Sequence, residues 1–469
     1  MHPRLCRMAE KPSSGSVAPI SGVVPRLAVK ADHGPQRSET GIGALMPWAD
    51  RLWFVTYVAH KSPSGGGTGL FWVDDDLELH KHPQSVVGTY ANRLIHAESN
   101  QLFIGPHVIS PAGKVETIED LIDLRLAATC RHLEDPANKV YMLGMEGEFV
   151  EVDVHTHKVH RLFDLCDVLG VDGYPHFKDA YTRHGRVVVV NNSYFDKDFP
   201  TGTSDGRLAE WDGSRWEILA RTQFNTVSAA NGIGDALYAV GQDRASALLH
   251  VYLPATGWQI YRLPKSTHTQ DHAFTTEWPR IREVESERLL MDASGSFFEL
   301  PSMSYDNALW GIRPIASHLR IVGDFCSWNG LLVLAGDQNT PIHDSNPVSG
   351  QPQANLWFGK TDDLWSWGKP QGWGGPWWET AVEPGTPSDP YLMTGYENKC
   401  LHLSHDRAES LDVAIEIDFM GNGHWHRYHT VTVPAAGYEC FTFPTGFSAH
   451  WIRLVPSDRC TATAQLAYT

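Results

Sequence analysis

Apolar and polar residues alternate along most of this chain in short runs, and Gly, Pro, Asp or Thr residues separate the runs. Alternation with a period of two is the pattern of a half-buried β-strand, and the separating residues are typical of tight turns. Five segments pair two such runs across a turn and predict β-hairpins, namely residues 70–83, 149–163, 208–219, 249–264 and 356–370. The chain is therefore predicted to consist of many short antiparallel strands.

A second pair of strands is predicted ahead of most hairpins, in residues 43–57, 92–104, 180–191, 279–291 and 325–334. Four strands in roughly 40–70 residues are typical of a propeller blade, and about seven such units fit between residues 41 and 370. Isolated four-stranded sheets would each expose an apolar face, so a closed ring is favoured. Two stacked β-sandwiches are the alternative.

The predicted fold is all-β, a seven-bladed β-propeller with a small C-terminal β-sandwich-like appendage. In this prediction, residues 1–38 form an irregular N-terminal arm, residues 39–389 form the propeller and residues 390–469 form the appendage. Alternation within the appendage is clearest in residues 411–419, 429–433 and 449–455. The segment 369–389 is rich in Gly, Pro and Trp and is expected to be a packed connection.

Composition and charge narrow the class of protein. The 469 residues include 17 Trp, 41 Gly and 29 Pro, and 42% of the residues are hydrophobic. These values exclude a bundle of long helices and a disordered chain. The formal net charge of −17 is expected to repel nucleic acid and anionic lipid surfaces. A site for an anionic ligand therefore requires a local group of cationic residues.

The chain shows no apolar run of membrane-spanning length, and its N-terminal residues lack the continuous apolar core of a signal peptide. A soluble protein is predicted, and its cellular location is unknown. The seven cysteines are scattered without CxxC spacing, so neither a zinc site nor a disulfide framework is predicted. Reduced thiols are favoured over the alternative of a Cys440–Cys460 bridge.

Histidines are the most prominent candidates for chemistry, because the chain contains 24 of them and histidine transfers protons near neutral pH. Propellers bind ligands at the end of the central channel, where loops from several blades converge. His60, His96, His107, His132 and His176 all lie near predicted strand ends. A single histidine at a strand end is more often an ordinary hydrogen-bonded residue, so a site requires several to converge.

The segment 174–192 adds more polar groups within one predicted blade. Tyr181 lies near cationic residues, so one hypothesis is that it exchanges a proton as an acid or base. The alternative is that its ring packs against aromatic side chains of neighbouring strands. Lys178 and Arg186 are expected to be solvated, and Asn191 ends a strand as a polar candidate. In another blade, Glu277 and Arg280 lie on one predicted strand, and either residue is expected to pair with a neighbouring blade.

Well-known catalytic motifs are absent from the sequence, since it has no GxSxG, HExxH or GxxxxGK[ST] segment. A glycosidase with paired carboxylates stays open, because Asp292, Asp324 and Asp337 fall at predicted strand ends. Each of these residues is more often a turn or capping residue. Motifs alone therefore do not select a reaction.

Several stretches resemble a known group of propeller enzymes, namely GIGALMPWADRLW, GTYANRLIHAESNQLFIGPHVI, RHLEDPANKVYMLGMEGEFVEVDVHT, GRLAEWDG, TEWPRI, QANLWFGKTDDLWSWGKPQGWGGPWW and FSAHWIRLV. Through them, the chain from Gly41 onward resembles the seven-bladed rhamnose–glucuronate-cleaving enzymes of polysaccharide lyase family 42 and glycoside hydrolase family 145. It is more distantly similar to the propeller ulvan lyases.

The resemblance implies action on L-rhamnose-α-1,4-D-glucuronate ends of plant-type glycans such as arabinogalactan. In the favoured lyase reaction, the uronate carboxylate is neutralised, the C5 proton is removed and the bond to the 4-oxygen breaks by β-elimination. The resemblance assigns proton transfer or carboxylate neutralisation to His107 and His132, and the second acid–base role to Tyr181. Arg207 is the candidate carboxylate partner, because a guanidinium forms bidentate pairs.

Substrate binding is further assigned to His60, His96, His176 and Asn191. One alternative is an α-L-rhamnosidase of the same propeller group, which resembles the lyases but uses a histidine on the opposite face, with His33 and His60 as candidates. The other alternative is a noncatalytic propeller that binds glycans by stacking sugars on Trp side chains.

The lyase hypothesis also implies ligands and partners. β-Elimination needs no organic cofactor, and none is predicted. A Ca²⁺ ion in the channel would steady the ring or the substrate, but spacing alone identifies no oxygen ligands, so no metal-binding residue is assigned. The expected partner is an anionic oligosaccharide or polysaccharide, with no nucleic acid and no membrane, and the protein is expected to be a monomer.

Overall fold

The computed structural model describes residues 21–30, 40–58, 68–195, 204–267, 278–285, 288–339 and 352–469. Two short strands open the described chain, β1 (Gly22–Val23) and β2 (Val29–Lys30), with a 3₁₀ turn at Pro25–Leu27 between them. Seven successive antiparallel sheets follow as blades, so the predicted seven-bladed propeller is confirmed for these residues.

Blades 1 to 3 each consist of four consecutive strands. Blade 1 contains β3 (Thr40–Trp48), β4 (Arg51–Val58), β5 (Leu70–Val73) and β6 (Leu79–Lys81). Blade 2 contains β7 (Arg93–His96), β8 (Gln101–Ile104), β9 (His107–Ile109) and β10 (Val115–Thr117), and a 3₁₀ turn follows at Glu119–Leu121. Blade 3 contains β11 (Leu126–Arg131), β12 (Lys139–Gly144), β13 (Glu148–Asp153) and β14 (Val159–Asp164), and helix α1 (Leu165–Leu169) follows.

Blades 4 to 6 repeat this order, and blade 7 begins in the same way. Blade 4 contains β15 (Phe177–Arg183), β16 (Arg186–Asn191), β17 (Arg207–Trp211) and β18 (Trp216–Ala220). Blade 5 contains β19 (Gln223–Ser228), β20 (Leu237–Gln242), β21 (Ala247–Leu253) and β22 (Gly257–Leu263). Blade 6 contains β23 (Arg280–Glu285), β24 (Arg288–Ala293), β25 (Ser296–Pro301) and β26 (Arg313–Ser317). Blade 7 contains β27 (Ile321–Trp328), β28 (Leu331–Asn339) and β29 (Pro352–Gly359), followed by a 3₁₀ helix at Thr361–Ser366.

The blades form a closed ring around a central channel. The first strand of every blade contacts the first strands of both adjacent blades, and β27 of blade 7 contacts β3 of blade 1. Inner strands are covered on both faces by neighbouring blades, which explains why the run Val187, Val188, Val189, Val190 in β16 is entirely buried. This run has no alternation because neither of its faces meets water.

Strand direction defines the two faces of the ring. Strands alternate in direction within a blade, so the loops between second and third strands share one face with the links between blades, such as residues 104–107 and 144–148. We call this the linker face. The loops between first and second strands, such as residues 96–101 and 131–139, lie on the opposite face.

A repeated contact joins neighbouring blades near the linker face. A β-bulge near the start of the inner strand precedes Asp179 in blade 4 and Asp324 in blade 7. Asp179 Oδ2 accepts a hydrogen bond from the Val227 N–H of blade 5 at 3.1 Å. Asp324 Oδ2 accepts one from the Leu45 N–H of blade 1 at 2.7 Å. The same carboxylate-to-backbone contact thus joins two different pairs of blades.

The N-terminal segment closes the ring, which corrects two predictions. β1 and β2 both pair with β29, so described residues of the segment 1–38 form the outer edge of blade 7 and are not an irregular arm. Residues 356–370 do not form a hairpin, because the chain after β29 turns into the 3₁₀ helix at Thr361–Ser366. The outer strand that this hairpin would have supplied comes from the other end of the chain.

The C-terminal region is a β-sandwich. Its strands are β30 (Gly372–Val382), β31 (Tyr391–Leu392), β32 (Lys399–His405), β33 (Leu411–Asp418), β34 (His426–Val433), β35 (Tyr438–Thr442), β36 (Trp451–Pro456) and β37 (Cys460–Tyr468). One sheet has the order β30-β37-β32-β35, and the other has the order β31-β36-β33-β34. Because β30 pairs with β37 along its length, the segment 369–389 supplies a strand of the sandwich and is not only a connection. The sandwich therefore begins before residue 390.

The sandwich packs on blade 5. β22, the outer strand of that blade, pairs in parallel with β31, so one sheet continues from the propeller into the sandwich. Arg262 of β22 binds Asp243 and Asp389 at 2.8 Å each, and Trp451 packs on Tyr261 with ring centroids 4.7 Å apart. In the part of the chain that the structure describes, no helix has the length and apolar character required to cross a membrane.

Candidate functional site

Four side chains from three blades meet in the central channel near the linker face. Trp278 and Arg280 lie at the start of blade 6, Lys178 lies near the start of β15 in blade 4, and Tyr57 lies near the end of β4 in blade 1. The Tyr57 and Trp278 ring centroids are 4.8 Å apart, and Lys178 Nζ lies 4.3 Å from the Trp278 centroid. These blades are not neighbours, so the contacts cross the channel. We call the four residues the channel cluster.

Two cations flank one aromatic ring in this cluster. Arg280 Cζ lies 4.9 Å from the Trp278 ring centroid, and Lys178 approaches the same ring. Arg280 is fixed by hydrogen bonds from Nε to the Gly323 carbonyl and from Nη1 to its neighbour Pro279. Cation–π attraction stabilises such an arrangement, although it leaves two positive charges close together. The acidic protein thus contains a local pair of buried cationic side chains at this end of the channel.

Several polar atoms at this end of the inner strands are buried without a hydrogen-bond partner among the described residues. They are Trp278 Nε1, Asn92 Oδ1, Asn191 Nδ2 and both side-chain polar atoms of Asn192. A buried polar group left without a partner costs about 1–3 kcal/mol, so native proteins retain few of them unless water or a ligand binds there. Their location on the linker face agrees with a polar binding site at this end of the channel.

The structure places His176 and Asn191 on the same face as the channel cluster. His176 directly precedes β15, two residues before Lys178, and its ring packs edge-on against Tyr194. Asn191 ends β16, and its Oδ1 accepts the Arg207 N–H at 3.1 Å. Both residues therefore lie at the same end of blade 4 as Lys178. His60 lies outside the described residues, as does His33.

His107 also lies on the linker face, but on β9, the third strand of blade 2, away from the channel. Its Nδ1 is 2.9 Å from Thr117 Oγ1, and its Nε2 is buried without a partner among the described residues. Burial, together with the nearby charge of His82, lowers the pKa of His107 to about 4. The imidazole is therefore neutral at pH 7, and the whole side chain is buried.

His132 lies on the opposite face, at the end of β11. Its Nδ1 accepts the backbone N–H groups of Glu134 and Asp135, at 3.1 and 2.9 Å. Its Nε2 lies 2.8 Å from Glu151 Oε2, and its ring stacks on Tyr141. Nδ1 thus holds the turn between β11 and β12, and Nε2 bonds to Glu151 of β13.

Replacing His132 by alanine is expected to destabilise the protein by about 1–3 kcal/mol, because two backbone N–H groups lose their acceptor. The measurement is the unfolding free energy or midpoint of the purified variant. His155→Ala is the matched control, since His155 is exposed in the same blade and bonds only at the surface. Equal stability of the two variants would contradict a structural role for His132.

His96 and Tyr181 also lie toward the opposite face. His96 is buried, with Nδ1 2.7 Å from Ser99 Oγ and Nε2 2.8 Å from the Pro136 carbonyl. The Tyr181 hydroxyl donates to the Ala229 carbonyl at 3.4 Å. Burial raises the pKa of Tyr181 above its usual range, although Arg183 lowers it. The three residues predicted to be catalytic are therefore divided, with His107 on one face and His132 and Tyr181 toward the other.

Arg207 is fully engaged within blade 4. Its guanidinium binds Asp205 at 2.7 Å and donates to the carbonyls of Leu169, Gly170, Asp205 and Gly206. Asp205 in turn accepts the N–H groups of Asp172 and Gly173. The Arg207–Asp205 ion pair therefore joins the segment between blades 3 and 4 to the loop before β17. In this arrangement, no N–H group of the Arg207 guanidinium remains to bind a uronate carboxylate.

Lys178, Trp278 and Arg280 are not among the site residues predicted from the sequence. Lys178 is 3% exposed, so the expectation that it is solvated is wrong, because its side chain turns inward to the Trp278 ring. Arg280 does bond to a neighbouring blade, as expected, through the Gly323 carbonyl. The available signals were the segments YPHFKD and TEWPRI, which place polar residues at the beginning of inner strands.

The described residues at this end of the channel do not fit a Ca²⁺ ion, which takes about six to eight oxygen ligands, mostly carboxylates and carbonyls. Asp324 is bound by Arg93 and Arg282 at 2.7 Å each. Asp179 accepts the Thr226 hydroxyl at 2.8 Å. Since these carboxylates are engaged and the channel cluster is cationic, we assign no step to Ca²⁺.

No protein-family model and no curated protein matches the chain. Among solved structures it is similar to the β-propeller domain of Myceliophteria thermophila Cps50 (Swd1), at 12% identity and a TM-score of 0.39, over 70% of this chain and 99% of that chain. It is also similar to U3-55K, at 8% identity and a TM-score of 0.40, over 71% and 99% of the two chains. A luciferin-regenerating enzyme matches at 10% identity and a TM-score of 0.38, over 73% and 96%. The propeller assignment rests on the strand pairing described above.

Proposed function

We propose that the protein is a carbohydrate-active enzyme that cleaves L-rhamnose-α-1,4-D-glucuronate ends by β-elimination at the channel cluster. The observation that supports this proposal is the convergence of Lys178 and Arg280 on the Trp278 ring in the channel of an acidic protein. A uronate offers a carboxylate for the two cations and a sugar face for the aromatic side chains. The sequence resemblance to rhamnose–glucuronate-cleaving propellers supplies the identity of the sugar pair.

The reaction assigns a task to each group. Lys178 and Arg280 neutralise the glucuronate carboxylate, which stabilises the negative charge that develops when the C5 proton leaves. The C5–H electron pair forms the C4=C5 double bond, and the C4–O4 bond breaks. Oxygen O4 leaves with rhamnose and takes up a proton. Rhamnose is released, and an unsaturated glucuronate remains.

The base for C5 is a histidine on the linker face in this proposal. His176 is the first candidate, because it directly precedes the inner strand that carries Lys178. His107 is the second, because its imidazole is neutral and its Nε2 has no partner among the described residues. His107 is on a third strand, and neighbouring strands are about 4.8 Å apart, so a substrate would have to extend outward from the channel to reach it.

The central test is incubation of the purified protein with a rhamnosyl-glucuronate oligosaccharide. We expect free rhamnose to appear together with ultraviolet absorbance from the new double bond, in equal amounts. Free rhamnose without absorbance would contradict the lyase and establish the α-L-rhamnosidase alternative. If neither product formed while the oligosaccharide bound, the protein would be a binding propeller.

The noncatalytic alternative is favoured by one observation, the division of the residues predicted to be catalytic between the two faces. His132 and His96 use both ring nitrogens in structural hydrogen bonds, which a binding module would tolerate. Single substitutions of His176 and His107 distinguish the two functions. In a lyase, loss of the base abolishes turnover while oligosaccharide affinity is retained, whereas a binding module has no turnover to lose.

A further inference from the structure

Two cysteines and a histidine lie together on the outer face of the C-terminal sandwich. In β32, Cys400 and His402 point outward, while the residue between them, Leu401, is buried. In the neighbouring edge strand β35, Cys440 is exposed and lies directly opposite His402. Alternation along two paired strands thus brings all three side chains to one side of the sheet.

The three groups are close enough to share one ion. The Cys400 and Cys440 sulfur atoms are 3.0 Å apart, and both cysteines are free thiols. The two sulfur atoms and one ligand nitrogen of His402 all lie within 4.8 Å of one another. Within the described part of the chain, this is the one group of at least three His, Cys, Asp or Glu side chains with such spacing.

A neighbouring tyrosine orients the histidine. The Tyr438 hydroxyl lies 2.8 Å from His402 Nδ1, and the two rings stack with centroids 6.0 Å apart. Histidines that bind metals are usually held by a hydrogen bond to the ring nitrogen that does not bind the metal. For an ion bound at His402 Nε2, the Tyr438 hydroxyl fixes the imidazole through Nδ1.

We propose that Cys400, His402 and Cys440 form a binding site for Zn²⁺ with an open fourth position. Two thiolates and one imidazole are ligands that Zn²⁺ prefers, and three protein ligands with a solvent-facing fourth position are a known zinc arrangement. Hard cations such as Ca²⁺ and Mg²⁺ are disfavoured, because they prefer oxygen ligands. Binding displaces the thiol protons, and the sulfur atoms move apart to the tetrahedral positions around the ion.

The cluster also changes the assignment of the cysteines. A Cys440–Cys460 bridge was the alternative to reduced thiols, but β32 separates β35 from β37, and Cys460 pairs with Val382 on the other side of β37. Cys440 instead lies beside Cys400. The sequence spacing did not indicate a zinc site, because the ligands come from two strands that are distant in the chain.

The test uses the full chain, stripped of metal and kept reduced, with Co²⁺ as a spectroscopic probe. We expect one equivalent of Co²⁺ to bind, with thiolate-to-cobalt charge-transfer absorption and the visible bands of tetrahedral Co²⁺. Added Zn²⁺ should abolish both signals. Cys400→Ser and Cys440→Ser should each remove most of the charge-transfer absorption, and Tyr438→Phe should weaken binding on the order of tenfold.

Two controls make the result specific. Cys460→Ala alters a buried cysteine of the same sheet and should leave the Co²⁺ spectrum unchanged. Circular dichroism and thermal unfolding of each variant show whether the sandwich is intact. Reduced wild-type protein that takes up no Co²⁺, or a charge-transfer band that survives in the Cys400→Ser, Cys440→Ser double variant, would overturn the proposal. Failure to bind Co²⁺ combined with ready formation of a Cys400–Cys440 disulfide would identify a redox pair instead.

Discussion

Replacing Asp324 by asparagine is expected to destabilise the protein by about 3–5 kcal/mol, the usual cost of removing one partner from a buried ion pair. The Asp324 carboxylate is fully buried and lies 2.7 Å from Arg93 Nε and 2.7 Å from Arg282 Nε. Asparagine has nearly the same shape, but it cannot neutralise the two guanidinium groups. The variant would leave both positive charges in a poorly solvated region.

The position of Asp324 in the ring makes this loss global. Asp324 belongs to blade 7, Arg282 to blade 6 and Arg93 to blade 2, and the Leu45 N–H that it also accepts belongs to blade 1. One carboxylate therefore links four of the seven blades at the point where the two ends of the ring meet. We expect the unfolding midpoint of the whole propeller to fall.

The same carboxylate predicts a pH dependence. Burial raises the pKa of Asp324, but the charges of Arg282, Arg93 and Arg280 outweigh burial and hold the pKa below its usual range. A lowered pKa in the folded state means that the stabilisation is complete above the unfolded value of about 3.9 and is lost as the pH falls through the folded value. The stability gap between wild type and Asp324→Asn should therefore be constant at neutral pH and narrow in acid.

Glu78→Gln is the matched control for this measurement. Glu78 pairs with Arg26 at 3.2 Å, but both side chains are more than half exposed, so water screens the pair. Its loss should change the unfolding free energy by less than about 1 kcal/mol. Urea unfolding of the two variants, at several pH values, compares a buried carboxylate with an exposed one. Equal effects would show that Asp324 does not hold the ring together.

The repeating part of the fold could be predicted from the sequence, because it is local. A hairpin such as residues 149–163 carries its own alternation and its own turn, and it forms β13 and β14 as predicted. The closure of the ring could not be predicted in the same way. β1 and β2 are two residues long, too short to show alternation, and their partner β29 lies more than 300 residues away.

The candidate site was harder to predict from the sequence than the fold, because a sequence does not show which atoms a polar side chain contacts. Arg207 and Lys178 both lie in the same predicted blade, and an arginine is the more usual carboxylate partner. In the structure, Arg207 is surrounded by carbonyl acceptors, while the buried Lys178 side chain contacts the Trp278 ring. Histidine is likewise a common catalytic residue, but both ring nitrogens of His132 are engaged within blade 3, by the turn after β11 and by Glu151.

Replacing Lys178 by methionine is expected to lower kcat/KM for a rhamnosyl-glucuronate substrate by two to three orders of magnitude, roughly the effect of removing one donor that stabilises developing charge. Methionine has a similar volume, and circular dichroism and urea unfolding of the variant check that the folded state is retained. Lys114→Gln is the control, because Lys114 is an exposed lysine paired with Glu116. Its kcat/KM should equal that of the wild type.

A second substrate separates charge neutralisation from a structural effect of this substitution. Methyl esterification of the glucuronate removes the negative charge before the protein binds it, so Lys178 has less to stabilise. The loss caused by Lys178→Met should therefore be large on the free acid and small on the ester, while a general disturbance of the channel would reduce both equally. Equal losses on the two substrates would place Lys178 outside the carboxylate site. The cationic group around Trp278 would then be a structural feature of the channel, and a uronate would not bind there.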